Sequence, residues 1–453
     1  MSACALLIIQ EATAAGMDCT KAANTVEKTI CANKIVYELD TQMGTVYREL
    51  MKASSDGQAE LKSTQRLWLK ARNDCVEDTC LEQSYRERLQ LLQAQWKEAV
   101  VFKPSDLDKQ VLDDLQKRIR AASENDPEFA LERTLDSLAI KTRQTSFSSE
   151  PDDDQYSEKT HVPKAVPKGV SRHEWSALLA SNLNAHTELG QITFTLFDLD
   201  GDGQRDLIVQ TYMGGTGLFT LFETYRRDGD RFTRRTAALD KESGVGSSLY
   251  STNDRGANQS VNWITVRGKV YAAYRDSRYG VDQVYLLSPL QINREVPIVT
   301  VHYRYQLRIP RTQHHNGNNI TYKLKPELQQ ALTQGLATMD EELSGTRQER
   351  QPICPIPQSA KDSEEEYYGY GAGYYAVESV ADFPVIIGTE CFIARLNNWF
   401  GTYSEKHGLF GQLSLRKPES IEEERSYEVN GRRRITEIST SIGKVGGGAA
   451  DAE

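Results

Sequence analysis

The sequence predicts a multidomain α+β protein in three parts: an N-terminal disulfide-bonded helical bundle, a central antiparallel β domain of sandwich or propeller type, and a C-terminal α/β portion. Three observations carry this expectation. Between Cys19 and Trp96 apolar residues recur every three or four positions, the period of an amphipathic helix, with cysteines at the joints of the runs. From about Arg172 short β-rich runs alternate with glycine turns. Near Arg311 a helical stripe and further strand patterns begin to mix. At 453 residues, two to four domains are expected, and 39% apolar with 26% charged residues is enough to build soluble cores.

The start, Met1 to Ile9, is short and apolar, and Ala12 to Ala15 offers a small-residue cleavage site. Residues 1–16 therefore read as the later part of a secretory signal that lacks its basic leading segment. Cys4 would leave with that signal; lipid attachment at Cys4 is the lesser alternative, because almost no apolar run precedes it. Six cysteines remain, Cys19, Cys31, Cys75, Cys80, Cys354 and Cys391, an even number that fits three disulfides in an oxidising compartment. No run of eighteen apolar residues is present, so no membrane span is expected.

Residues 17–102 read as the bundle. One stripe holds Leu39, Met43, Val46, Tyr47 and Leu50, a second Leu61, Gln65, Trp68, Leu69 and Arg72, and a third Leu81, Tyr85, Arg88, Leu89, Leu92 and Trp96. Such stripes bury only against one another. Cys19 and Cys31 flank a short first helix, while Cys75 and Cys80 flank the turn between the last two. Four cysteines permit three pairings, and sequence does not choose among them. The two local pairs are favoured because each would pin a helix end, a constraint worth roughly 2–3 kcal/mol.

The cysteines together with Glu27-Lys-Thr-Ile-Cys31, Leu39-Asp40, Gln65-x-x-Trp68-x-x-x-Arg72-Asn73-x-Cys75 and Cys80-Leu81-x-x-x-Tyr85-x-x-Arg88 resemble the N-terminal domain of the LprI-like lysozyme inhibitors. The resemblance covers roughly residues 18–98, under a fifth of the chain. It implies an all-helical, disulfide-bonded, exported domain carried by proteins that block lysozyme-type enzymes. The competing reading is a stable exported module with no inhibitory role.

Residues 103–145 form a helical extension, with Leu107, Val111, Leu112, Leu115 and Ile119 on one stripe and Leu131, Leu135 and Leu138 on another, broken at Pro127. It is expected to pack on the bundle. Residues 146–171 are polar and proline-containing and read as a linker. Residues 172–310 read as the β domain, with strands at 192–197, 207–212, 218–225, 262–266, 269–274 and 283–287. No internal repeat supports a regular propeller. Residues 311–445 form the C-terminal portion, with a helix from Pro326 to Leu343, a strand at 383–387 and an amphipathic helix from Phe392 to Phe400. A strand followed by such a helix faintly resembles the domain of lysozyme-sensing anti-sigma factors. A strand from Ile435 to Ile442 and a glycine-rich tail at 446–453, expected to be disordered, close the chain.

The sharpest chemical motif is Asp198-Leu-Asp200-Gly-Asp202-Gly-Gln204-Arg-Asp206. Carboxylates at loop positions 1, 3, 5 and 9, a glycine at 6 and the Gln204 carbonyl at 7 follow calcium-loop spacing. Val209 stands where a bidentate glutamate would, and strands flank the loop, so a structural Ca²⁺ of modest affinity, about 10⁻⁴–10⁻³ M, is expected. Glu223 is a candidate to complete the shell. Without a cation the four aspartates repel one another; the competing reading is a bare acidic turn. Tyr367, Tyr368, Tyr370 and Tyr374 lie in a glycine-rich run that suits a partner-binding loop, although an ordinary hairpin explains it better. His314-His315 reads as a polar loop with no second ligand pair.

Signatures of common enzymes are absent: no Gly-x-Ser-x-Gly, His-Glu-x-x-His, phosphate-binding loop or dinucleotide fingerprint. Ser441-x-x-Lys444 stands without companions. A net charge of −10 argues against nucleic acid and suits a basic partner. The expectation is a non-enzymatic periplasmic inhibitor or immunity protein whose partner is a secreted lysozyme-like or other cell-wall hydrolase, such as a secretion-system effector toxin. A calcium-stabilised envelope scaffold or adhesion module and a cryptic hydrolase are the alternatives.

Overall fold

Helix-forming stripes fill the first hundred residues, and strand-forming alternation interspersed with further helices follows. In the computed structural model the described residues are 17–54, 57–141, 143–149, 163, 165–181, 183, 192–214, 219–234, 248–253, 259–315, 320–344, 354, 377–399, 403–420 and 422–445. They form two compact units, one ending at Phe102 and one beginning at Lys103. Residues 1–16, read as a secretory signal, most of the stretch read as a linker, the tyrosine run at 367–375 and the tail at 446–453 lie outside the described residues.

The first unit is helical. A 3-10 turn, Cys19–Lys21, precedes α1 (Thr25–Ala32), α2 (Lys34–Ala53), α3 (Gln58–Arg72) and α4 (Asp78–Ala99). Asn24 and Glu27 close a reciprocal capping box on α1, and Asn33 both ends α1 and caps α2 through the amides of Ile35 and Val36. Ile30, Val36, Leu39, Met43, Leu50, Leu61, Leu81, Leu89, Leu92 and Trp96 form its buried side. The cysteines pair locally, Cys19 with Cys31 and Cys75 with Cys80, at Cα separations of 5.8 and 5.6 Å.

The second unit contains two antiparallel sheets. The smaller runs β1 (Thr145–Ser148), β2 (Ile192–Phe197), β3 (Asp206–Gly214), β4 (Phe219–Asp228), β5 (Arg231–Thr233), with β6 (Tyr250–Asn253) also on β4. Helix α7 (Arg172–Ala180) covers it through Ala177 and Leu178. The larger sheet joins two meanders. One is β7 (Gln259–Val266), β8 (Lys269–Arg278), β9 (Val281–Leu287) and β10 (Glu295–Arg308); the other is β13 (Val377–Ile387), β14 (Glu390–Trp399), β15 (Leu409–Arg416) and β16 (Arg425–Lys444). The long β10–β16 pair is the seam, with one register shift at His302/Tyr303. A separate hairpin pairs β11 (Thr312–His315) with β12 (Ile320–Lys323).

Helices α5 (Asp106–Ser123) and α6 (Ala130–Leu138) pack on the first meander: Val111, Leu112, Leu115, Ile119, Leu131 and Leu135 share a core with Ile264, Tyr271, Val284, Val299 and Val301. Helix α8 (Pro326–Ser344) packs on the second through Leu332, Leu336 and Met339. A β-carbon on Gly335 would stand 2.6 Å from Val385 Cγ2, so glycine is what allows α8 this close to β13. Cys354 is bonded to Cys391 at the start of β14.

Four expectations change. The helical extension, expected on the bundle, shares its core with the larger sheet; an apolar stripe shows that a helix is buried but not what covers it. The stretch read as a linker opens with a paired strand, Thr145–Ser148, and residues 172–180 are helical. The boundary drawn at residue 310 runs beside one continuous sheet, because β10 on one side of it pairs with β16 on the other. Residues 392–399 are strand, not helix, which removes the basis for the anti-sigma-factor likeness. Phe392 and Leu396 are four apart, a spacing that satisfies a period of two as well as 3.6; Phe392, Ala394 and Leu396 are all buried in the sheet.

Candidate functional site

The sequence motif of the helical unit becomes a buried polar chain. Asp40 on α2 accepts from the Tyr85 hydroxyl at 2.8 Å, and that oxygen accepts from Arg72 Nη1 at 2.8 Å. The other Asp40 oxygen accepts the Met17 amide at 2.7 Å. Arg72 also donates to Asn73 Oδ1 at 2.8 and 3.2 Å, and its guanidinium lies 5.7 Å from the Trp68 ring centre. Trp68 meets Tyr85 edge-on at 5.1 Å and donates to Ser84 at 3.2 Å. Arg88 donates to Gln65 Oε1 at 2.9 Å, while the Gln65 amide reaches Met43 Sδ at 3.2 Å. Burial, then the Asp40 carboxylate, push the Tyr85 pKa well above its ordinary value; burial lowers that of Arg88. Asp40, Gln65, Arg72, Tyr85 and Arg88 are all under 9% exposed. These residues tie α2, α3 and α4 together and are withdrawn from any partner.

The acidic loop joins β2 to β3. Gly201 and Gly203 turn it at φ +76° and +84°, which glycine adopts without strain. Asp198 accepts the amides of Gly201 and Gly203 at 2.8 and 3.0 Å, Asp202 that of Gln204 at 2.8 Å, and buried Asp206 those of Leu199 and Arg227 at 2.9 and 2.7 Å. Asp198, Asp200 and Asp206 each bring one carboxylate oxygen within 4.8 Å of the others, an all-oxygen set whose chemistry fits a hard divalent cation. Asp202 is not in that group. It faces Arg226 at 3.7 Å, and Arg226 Nε lies 2.8 Å from Asp200. Burial pushes Asp206 up to about 7. Glu223, the candidate for completing the shell, pairs instead with Arg234.

Two arginines missing from the sequence reading organise this loop. Arg226 offsets part of the repulsion among the aspartates. Its signal lay in hairpin register: Leu207 pairs with Tyr225, so Arg226 falls beside Asp206. Arg205, inside the motif, donates to both oxygens of Glu174 at 2.7 Å, to Thr145 at 2.7 Å and to the Gly169 carbonyl at 2.8 Å, fastening the loop to α7 and β1. Burial works against the Glu174 charge, but the Arg205 guanidinium and the Ser171 contacts outweigh it and hold its pKa at about 2. His314 lies in β11 with Nδ1 3.1 Å from Thr321 Oγ1, a strand where a loop was expected.

Residues 18–95 match the family model described as lysozyme inhibitor LprI. Lipoprotein LprI from Mycobacterium bovis and from two strains of Mycobacterium tuberculosis is in each case 31% identical over 77 residues, 16% of this chain and 38% of the relative. The chain thus spans under two-fifths of the length of these curated relatives. No solved structure matches the chain. The matched family is one of inhibitors, and its motif coincides here with the interior of the helical unit.

Proposed function

We propose that, as a protein carrying an LprI-type domain at residues 18–95, the chain is an exported inhibitor of a lysozyme-like or other cell-wall-attacking enzyme, acting as an immunity protein in the periplasm. The observation that carries this reading is the family match, supported by the polar chain from Asp40 through Tyr85 to Arg72, which gives the matched residues a common architectural purpose. Blockade of a cleft needs complementarity and no chemistry. Three disulfides agree with an oxidising compartment, and the printed description of the relatives as lipoproteins agrees with export. Titration of the purified full chain into a lysozyme turbidity assay is expected to abolish cell-wall lysis at near-stoichiometric ratio. Unchanged lysis across a panel of muramidases would overturn the reading.

We infer in addition that Ca²⁺ braces the β2–β3 loop through Asp198, Asp200 and Asp206, with the Gln204 carbonyl and water filling the shell. The three converging carboxylates support this, and Arg226 limits the affinity. At about 5 mM calcium and an affinity near 1 mM, stabilisation of about 1 kcal/mol is expected. A thermal shift with CaCl₂ that is absent in Asp198→Asn checks it; equal shifts in both proteins contradict it.

A further inference from the structure

We propose that the turn closed by Cys75 and Cys80, with Val76 at its tip, is the element of the helical unit that enters the cleft of a basic cell-wall hydrolase, an assignment that rests on the inhibitor reading above. The motif residues are buried, so recognition falls to side chains that face solvent. Val76 is 96% exposed, against 66% for Leu67, 51% for Ile35 and 49% for Leu91 on the helices of the same unit. Single exposed apolar residues are ordinary on protein surfaces. This one stands on a turn held from several sides.

The Asp74 and Cys75 amides donate to the Ala71 and Arg72 carbonyls at 3.1 Å, continuing α3, and the Leu81 amide closes the first turn of α4 on Glu77 at 3.2 Å. The disulfide bridges these ends. From inside, Arg72 grips Asn73; from the side, Asn33 Nδ2 donates to Asp78 at 3.0 Å. That last bond sets the α1–α2 corner, with Ile35 two residues on, at the same end of the bundle. A pre-ordered tip loses little conformational freedom on docking.

Charge selects the partner. Residues 73–82 carry Asp74, Glu77, Asp78 and Glu82 and no lysine or arginine, whereas the whole chain has 54 basic against 64 acidic residues; Glu82 is paired with Arg86 at 2.7 Å, which leaves Asp74, Glu77 and Asp78 as the rim. Acids at the start of α4 complement the helix dipole, which accounts for Glu77 and Asp78 but not for Asp74 or for an apolar residue among them. An apolar centre with an acidic rim fits a cleft whose rim is cationic, as expected of enzymes that work on an anionic polymer.

The test uses the full chain against two muramidases of matched activity, one basic and one acidic, with thermal melting of each variant as the folding control. Val76→Asp is expected to raise the inhibitory concentration for the basic enzyme at least tenfold with unchanged melting. Asp74→Lys with Glu77→Lys slows association at low salt, and Leu67→Asp, away from the tip, leaves inhibition intact. If wild type inhibits and Val76→Asp inhibits equally, the turn is not the docking element and the inhibitor reading stands. If wild type inhibits only the acidic enzyme, the charge assignment falls; if it inhibits neither, both proposals fall together.

Discussion

One buried network in each unit shows how differently charge can be gathered along the chain. In the helical unit Tyr85 reaches Arg72 across 13 positions and Asp40 across 45. In the β unit Glu132 on α6 receives Arg275 from β8 and Arg433 from β16, both at 2.6 Å, across 143 and 301 positions. Arg433 is further enclosed by the Tyr303 and Tyr403 rings, 4.1 and 4.4 Å from its guanidinium carbon. A short-range network leaves its residue types in a readable cadence. A long-range one leaves scattered arginines and glutamates that mean nothing until the sheet is assembled.

Removing one partner from each network is the direct way to break that comparison. Arg433→Met leaves Glu132 and Asp282 to share Arg275 and should cost about 3 kcal/mol. Hydrogen exchange of β10 and β16 amides measures it, and a change below about 1 kcal/mol would demote the network to decoration. Acid attacks the β unit at a second point. Glu174 has its pKa depressed from 4.5 to about 2, so its contribution is complete above pH 4.5 and disappears as pH falls through about 2. On the order of 2–3 kcal/mol is expected in that window. Glu174→Gln, compared with wild type by tryptophan emission during acid titration, should lose that pH dependence. The smallest effect is Tyr85→Phe, which cuts the link between Asp40 and Arg72 and should cost about 2 kcal/mol. Exchange in α3 and α4 reports it, and protection equal to wild type would show that the two charges had re-paired directly.

The same contrast explains what was legible. The four helices of the first unit and the strands from β2 to β4 and β7 to β9 follow from local periodicity, and so does the DxDxDG turn with its two left-handed glycines. The local cysteine pairs were favoured on simple proximity and are the ones formed. Pairing partners were not legible. Nothing near Val111 says that Val299 will cover it, and nothing near Val296 says that Gly443 will lie beside it. At the acidic loop the aspartates were visible as a motif, whereas their compensating arginine arrives from the next strand and has no spacing rule of its own.

The seam of the larger sheet also has a meaning in time. Because β10 must wait for β16, more than a hundred further residues leave the ribosome while a fourteen-residue strand keeps one side unmatched. Such an edge is a template for foreign strands. Until the last long strand arrives, nascent β10 is an edge of this kind.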